Sequence, residues 1–200
     1  MKKALNNKSE FVSRSFSDYH VEENTICGIP IVFEQPTNIG GYFEETIARN
    51  AIDPSILQDV DLFYNHDLNT KPIARTKNGK LKLEIKDDGV HMVAHVNRER
   101  SDVNDLYLAI QDGDIDGMSF MFRVSEDEWT GLDTDYPKRR ITKIDSIREV
   151  SAVNSPAYVG TSINARSNNQ SILENARAKI ESNNDSLELE KLKAKYLFNI

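Results

Sequence analysis

Three residues could assemble the proton relay of a nucleophilic hydrolase: Ser119, His66 and Glu149. A serine hydroxyl is a weak nucleophile until a base accepts its proton, so it needs an imidazole within hydrogen-bond reach. A carboxylate then holds that imidazole in one tautomer. Ser119 lies in Asp112–Val124, DGDIDGMSFMFRV, between a glycine-bearing turn and an alternating apolar run. Taken alone it reads first as a small residue on a buried strand. His66 follows the apolar Leu62-Phe63-Tyr64 and stands between Asn65 and Asp67. Strand ends hold side chains firmly yet leave them reachable; the alternative is a histidine that caps a turn through Asn65 or Asp67. Glu149 sits among Ile147, Val150 and Val153. A carboxylate there needs a partner, because a lone buried charge is costly. That partner is either an imidazole or a neighbouring arginine, Arg148 or Arg140.

Other chemistries fit less well. The nucleophile elbow of α/β-hydrolases needs G-x-S-x-G between a strand and a helix. Here Met121 replaces the second glycine and the chain continues as a strand. His91 and His95 have the spacing of a zinc-protease helix but lack its glutamate. Their segment alternates like a strand, which sets them about 13 Å apart, too far to share one metal. They read as same-face polar residues, and His20 as a solvated one. Cys27, the single cysteine, lies in an apolar run and reads as an inert, half-buried residue. No metal or organic cofactor is expected.

Two hundred residues suit one ordinary domain with polar extensions, since only 38% are apolar. A net charge of −7 argues against nucleic acid or an anionic membrane as partner, because both need clustered Lys and Arg. No run approaches the roughly 20 apolar residues of a membrane span. Lys2 and Lys3 are not followed by an apolar stretch, so a secretory signal is not expected. The default location is cytoplasmic.

The elements that must position the three residues are mostly strands. Residues 1–24 form a polar arm in which Phe11, Val12 and Phe16 could seed an edge strand. Thr25–Phe33 reads as a strand with Pro30 at an edge or bulge, Tyr42–Ile47 as a second and Val60–Tyr64 as a third. Asn50–Gln58 reads as a short helix capped by Asn50, or by Asp53 with Pro54 in its first turn. Across Pro72–Val96, period-two alternation predicts a three-stranded meander, turned at Asn78-Gly79 and Asp88-Gly89 by residues of positive φ. Ser101–Gln111 reads as a helix, with Ser101 as N-cap, one apolar face and a stop at Gly113. Met118–Val124 is a strand and Glu126–Lys138 a polar loop. Arg140–Val153 is a long strand or strand pair; its apolar residues recur every three, which predicts a bulge or break. Ser155-Pro156 ends it. Residues 164–200 read as a polar tail with helix-prone pieces at Ile172–Ile180 and Leu187–Leu197, which need a partner to be stable.

Three ordered motifs resemble the prohead (capsid maturation) protease family of tailed phages. They are Asn65-His66-Asp67, then Gly117-Met118-Ser119-Phe120 with Phe122, then Glu149-Val150-Ser151 with Ser155-Pro156-Ala157-Tyr158. The likeness covers residues 25–163, and departs from the family where Met121 replaces a usual glycine. It implies an α+β fold similar to the herpesvirus assemblins: a mainly antiparallel β-barrel surrounded by a few helices, followed here by a helical or disordered tail. It implies a serine endopeptidase inside the immature capsid, with Ser119 as nucleophile, His66 as general base and Glu149 as orienting acid, although assemblins use a second histidine in that place. The implied substrates are scaffold or the scaffolding segment of the major capsid protein, and the protease itself. Homo-oligomerisation is compatible with it. Arg148, or Arg139 with Arg140, are the arginines that could stand near the oxyanion. The rival reading is a non-catalytic scaffold or capsid-interior protein that keeps the fold.

Overall fold

The structure, a computed structural model, describes residues 12–16, 19–154 and 169–182, those before residue 23 by their backbone alone. It is a strand-rich α+β fold. The strands are β1 (Val12–Phe16), β2 (Tyr19–Glu22), β3 (Thr25–Val32), β4 (Thr37–Ile39), β5 (Phe43–Ile47), β6 (Asp61–Tyr64), β7 (Ala74–Arg75), β8 (Leu81–Ile85), β9 (Gly89–His95), β10 (Gly117–Thr130) and β11 (Lys138–Val153). Helix α1 spans Ser101–Gln111 and α2 residues 169–182. Among the described residues the strands form two sheets, and neither closes on itself. One runs β1-β10-β11-β5-β4, with β6 and β7 added beside β11; the other runs β2-β3-β9-β8.

Strand β11 organises the larger sheet. One edge pairs antiparallel with β10 along its length. The other edge is shared: β5 runs parallel to its first residues and β6 to its last. The pairing with β10 slips repeatedly. Between Met121↔Glu149 and Phe122↔Ile147, β11 advances two residues while β10 advances one. The same happens between Arg123↔Ser146 and Val124↔Ile144, and between Glu126↔Lys143 and Asp127↔Ile141. Each slip inserts one residue into β11, and a bulge shifts the inward phase by one. This is why Ile141, Ile144, Ile147 and Val150, spaced by three, all lie in the core; Val153, which no slip separates from Val150, is buried on the opposite face.

The core lies between the sheets. Phe120 and Phe122, two apart on β10, point to one face and stack at 4.4 Å between centroids. Met118, Val150, Ala152 and Leu62 share that core with Ile26, Ile31, Val90 and Met92 from the smaller sheet. Helix α1 closes it with Val103, Leu106, Tyr107 and Ile110, all buried on one helical face.

Several sequence expectations need correction. The three-stranded meander is a two-stranded hairpin, β8–β9; its first segment, Ala74–Arg75, pairs with β6 in the other sheet. Gly79 has the expected positive φ of 73°, whereas Gly89 does not need one. Gly89 is required by close approach, since a Cβ there would lie 2.1 Å from the Ile31 carbonyl oxygen. The short helix is one 3₁₀ turn, Pro54–Leu57, with Asp53 as its cap. Arg100, not Ser101, is the cap residue of α1, and Ser101 is its first helical residue. The polar loop starts later than expected, because β10 continues to Thr130 and packs Trp129 edge-on against Phe43 at 5.0 Å. Pro30 falls where the β3–β9 register slips between Gly28 and Ile31, which accommodates its missing donor.

Both ends of the chain bear on this frame. Strand β1 pairs with the outer edge of β10, with Ser15 opposite Ser119. The expected helix at 172–180 lies within α2. Its Leu173 is buried against Ile39 and Phe43, and Arg177 donates to the carbonyls of Leu132 and Thr134 at 2.9 Å each. The expected helix at Leu187–Leu197 and the segment Ser155–Tyr158 lie outside the described residues.

Candidate active site

The candidate residues occupy the sheet face opposite the Phe120–Phe122 core. Ser119 alternates with Met118 and Phe120 on β10, so its side chain points the other way. Its cross-strand partner is Ser151, whose own alternation with Val150 and Ala152 puts it on the same face. Directly opposed residues stand about 4.5–5.5 Å apart at Cβ. Glu149, two residues before Ser151, shares that face. On the far side of β11, Phe63 of β6 is level with Ser151. One register therefore lines up Ser119, Ser151 and the end of β6.

His66 enters where β6 turns away. Asn65 and His66 adopt consecutive left-handed conformations, φ 51° and 59°. Few residues other than glycine adopt that region; asparagine and histidine are enriched among those that do, and each such residue costs of order 1–3 kcal/mol. The turn is held by β11: the Asn65 N–H donates to the Ala152 carbonyl at 2.8 Å, the Asn154 N–H to Asn65 Oδ1 at 3.1 Å, and the His66 N–H to Ser151 Oγ at 3.2 Å. The reversal carries the ring back over β11, where Nδ1 meets Glu149 Oε1 at 2.6 Å.

Glu149 is fully buried, and its second oxygen, Oε2, accepts from the Ser151 hydroxyl. A buried carboxylate is tolerable when both oxygens are hydrogen-bonded. A carboxylate oxygen accepts, so the neutral imidazole tautomer that fits this contact has its proton on Nδ1 and presents Nε2 as an acceptor. The ring is not sealed in, for 24% of the His66 side chain remains exposed. Ser119, by contrast, has no exposed surface.

The rival assignments separate cleanly. Arg140 is engaged by Glu34 at 2.6 and 2.7 Å, and Arg139 by Glu45 at 3.0 Å and Asp127 at 2.7 Å. Both are roughly 30 Å along β11 from Glu149, so neither serves it or stands near an oxyanion beside Ser119. His91 bonds to Asp88 and His95 faces Thr25. Among the described residues no cluster of His, Cys, Asp and Glu could hold a metal ion. Cys27 is half-buried on β3. Among the described residues no helix is long and apolar enough to cross a membrane, which says nothing of β-barrels. Ser151 is the residue to which the sequence reading gave no role. The signal was available, since period two places residue 151 beside 149 on the same face.

A buried carboxylate bonded to an imidazole, beside a strand-borne serine, is the kind of arrangement that serine hydrolases use. Residues 12–175 match the caudovirus prohead serine protease family, and the chain belongs to that family. It is thus a serine protease of phage capsid maturation. No match is found among curated proteins or solved structures.

Proposed function

We propose that Ser119 is the nucleophile, His66 the general base and Glu149 the orienting acid of an endopeptidase that acts inside the immature capsid in the host cytoplasm. Its substrates in this reading are scaffold or the scaffolding segment of the major capsid protein, and the protease itself. The observation that carries it is the 2.6 Å contact between His66 Nδ1 and the buried Glu149. That contact leaves Nε2 as the acceptor for the serine proton. The Ser119 oxygen attacks the scissile carbonyl as Nε2 takes its proton; the imidazolium then protonates the leaving amine, and water repeats the cycle on the acyl-enzyme. Glu149 holds the tautomer and stabilises the imidazolium. Of the arginines considered for the oxyanion, Arg148 is retained, exposed at the bulge beside Glu149. The reading extends to architecture, with the two sheets as walls of an assemblin-like barrel.

The complete burial of Ser119 favours a second reading, a non-catalytic capsid-interior protein that retains the fold. One experiment separates them. The protein is incubated with its own capsid precursor and the new termini are mapped, with Ser119→Ala alongside. The proposal expects cleavage by the wild type, loss of at least about 10³-fold in the variant, and the same thermal transition in both. Undiminished cleavage by Ser119→Ala ends the assignment.

A further inference from the structure

The Ser151 side chain is fully buried, and its hydroxyl joins two parts of the site. It donates to Glu149 Oε2 and accepts from the His66 N–H at 3.2 Å. A hydroxyl has one proton to give and two lone pairs to receive, so both bonds can be made at once. Its backbone is fixed between Ser119 on β10 and Phe63 on β6. The hydroxyl therefore holds the carboxylate from one side and the strained His66 backbone from the other.

We infer that Ser151 is a positioning residue of the catalytic site, acting through Glu149 and His66 and not on the substrate; this rests on the catalytic reading above. Two groups must be held for the imidazole to point correctly. Glu149 can rotate about its terminal torsion, and only the oxygen opposite His66 is available to stop it. His66 sits in a backbone region that other conformations would relieve. One hydroxyl restrains both. Other charged groups lie near the pair, among them Arg123, half-buried on the Ser119 face of β10 two residues beyond Met121, which stands opposite Glu149. Asp61, level with Glu149 on β6, is bonded to Arg75 Nε at 2.6 Å; Asp67 accepts from the Asn69 N–H at 3.0 Å; Arg148 is exposed.

The test uses the full chain and a fluorophosphonate probe, whose second-order rate of attachment to Ser119 reads the activation of that hydroxyl. Ser151→Ala should slow attachment about 10- to 100-fold, the usual effect of losing a hydrogen bond to a charged group. The acid limb of the rate–pH profile should move, because that limb reports protonation of the general base, and Glu149, no longer restrained by the hydroxyl, holds the imidazolium differently. Ser151→Thr should restore both rate and limb. In a Glu149→Ala background, Ser151→Ala should add less than about 3-fold, since groups acting through one another are not additive. Wild-type attachment with an unmoved limb in Ser151→Ala overturns the inference. So does equal slowing in both backgrounds, or a loss that tracks thermal unfolding and that threonine does not restore. Attachment to Ser119→Ala at the wild-type rate, or no attachment to Ser119 in the wild type, overturns the catalytic reading beneath it.

Discussion

At its first residues β11 places Arg139 between Glu45 and Asp127; at its last it places Glu149 between His66 and Ser151. Both ends bury a carboxylate beside a strand: Glu45 is 2% exposed and Glu149 not at all. The desolvation cost is similar in kind and is offset in both places by close, hydrogen-bonded partners. The difference is the partner. A guanidinium never gives up its proton, so the first end can only lock strands together. An imidazole exchanges its proton near neutral pH, so the second end can cycle. The register reinforces this contrast. The first end faces β5 and the packed Phe43–Trp129 pair, whereas the second faces the end of β6, where the chain turns off and leaves His66 part-exposed.

The largest break in the comparison should come from Glu149→Gln. An amide in place of the carboxylate supports the wrong tautomer, and hydrolysis should fall about 10³- to 10⁴-fold while the fold is retained. Precursor cleavage, with circular dichroism as the control, measures it. A variant that retains most of its activity would mean that the second end is as structural as the first.

Glu45→Gln should do the reverse. Arg139 keeps Asp127 but loses a buried partner, so stability should fall by about 2–3 kcal/mol, read as a lower denaturant midpoint. Cleavage per folded molecule should stay at the wild-type level. If catalysis fell while stability held, the two ends could not be treated as separate in function.

The contrast was only partly legible in the sequence. Period-two alternation identifies β8 and β9, and spacing plus Gly113 identifies α1, because each element is amphipathic on its own. The spacing by three along β11 announces irregularity, but the three inserted residues are visible only once β10 lies beside it. Trp129 was hidden in a polar stretch, because its partner Phe43 is distant in the chain. Glu45 and Arg139 gave no local signal either, for a buried ion pair 94 residues apart depends on the parallel register of β5 and β11. At the site, His66, Ser119 and Glu149 stood out through their motifs. Their spacing could not tell whether Glu149 meets an imidazole or an arginine. That choice is made by the left-handed turn at Asn65 and His66, and no residue preference forces such a turn at histidine.

The smallest expected effect tests the first end at its rim. Glu34 takes Arg140 through both oxygens, and it also accepts from the Arg49 N–H at 3.2 Å. The Arg140 guanidinium holds its carboxyl below the ordinary value of 4.5. A folded-state value below the unfolded one makes the contribution complete above the ordinary glutamate range. It is lost as pH falls through the lowered value, because the folded carboxyl then takes up its proton too. Glu34→Gln should therefore cost about 0.5–1 kcal/mol at neutral pH, the scale of a part-exposed pair, and less in high salt. At a pH below the lowered value the wild type and the variant should converge, since both then lack the charge. Denaturant unfolding at the two pH values measures the gap. A gap that stayed constant on acidification would show that Glu34 acts through packing rather than charge. The strand's first end would then be held by Arg139 alone.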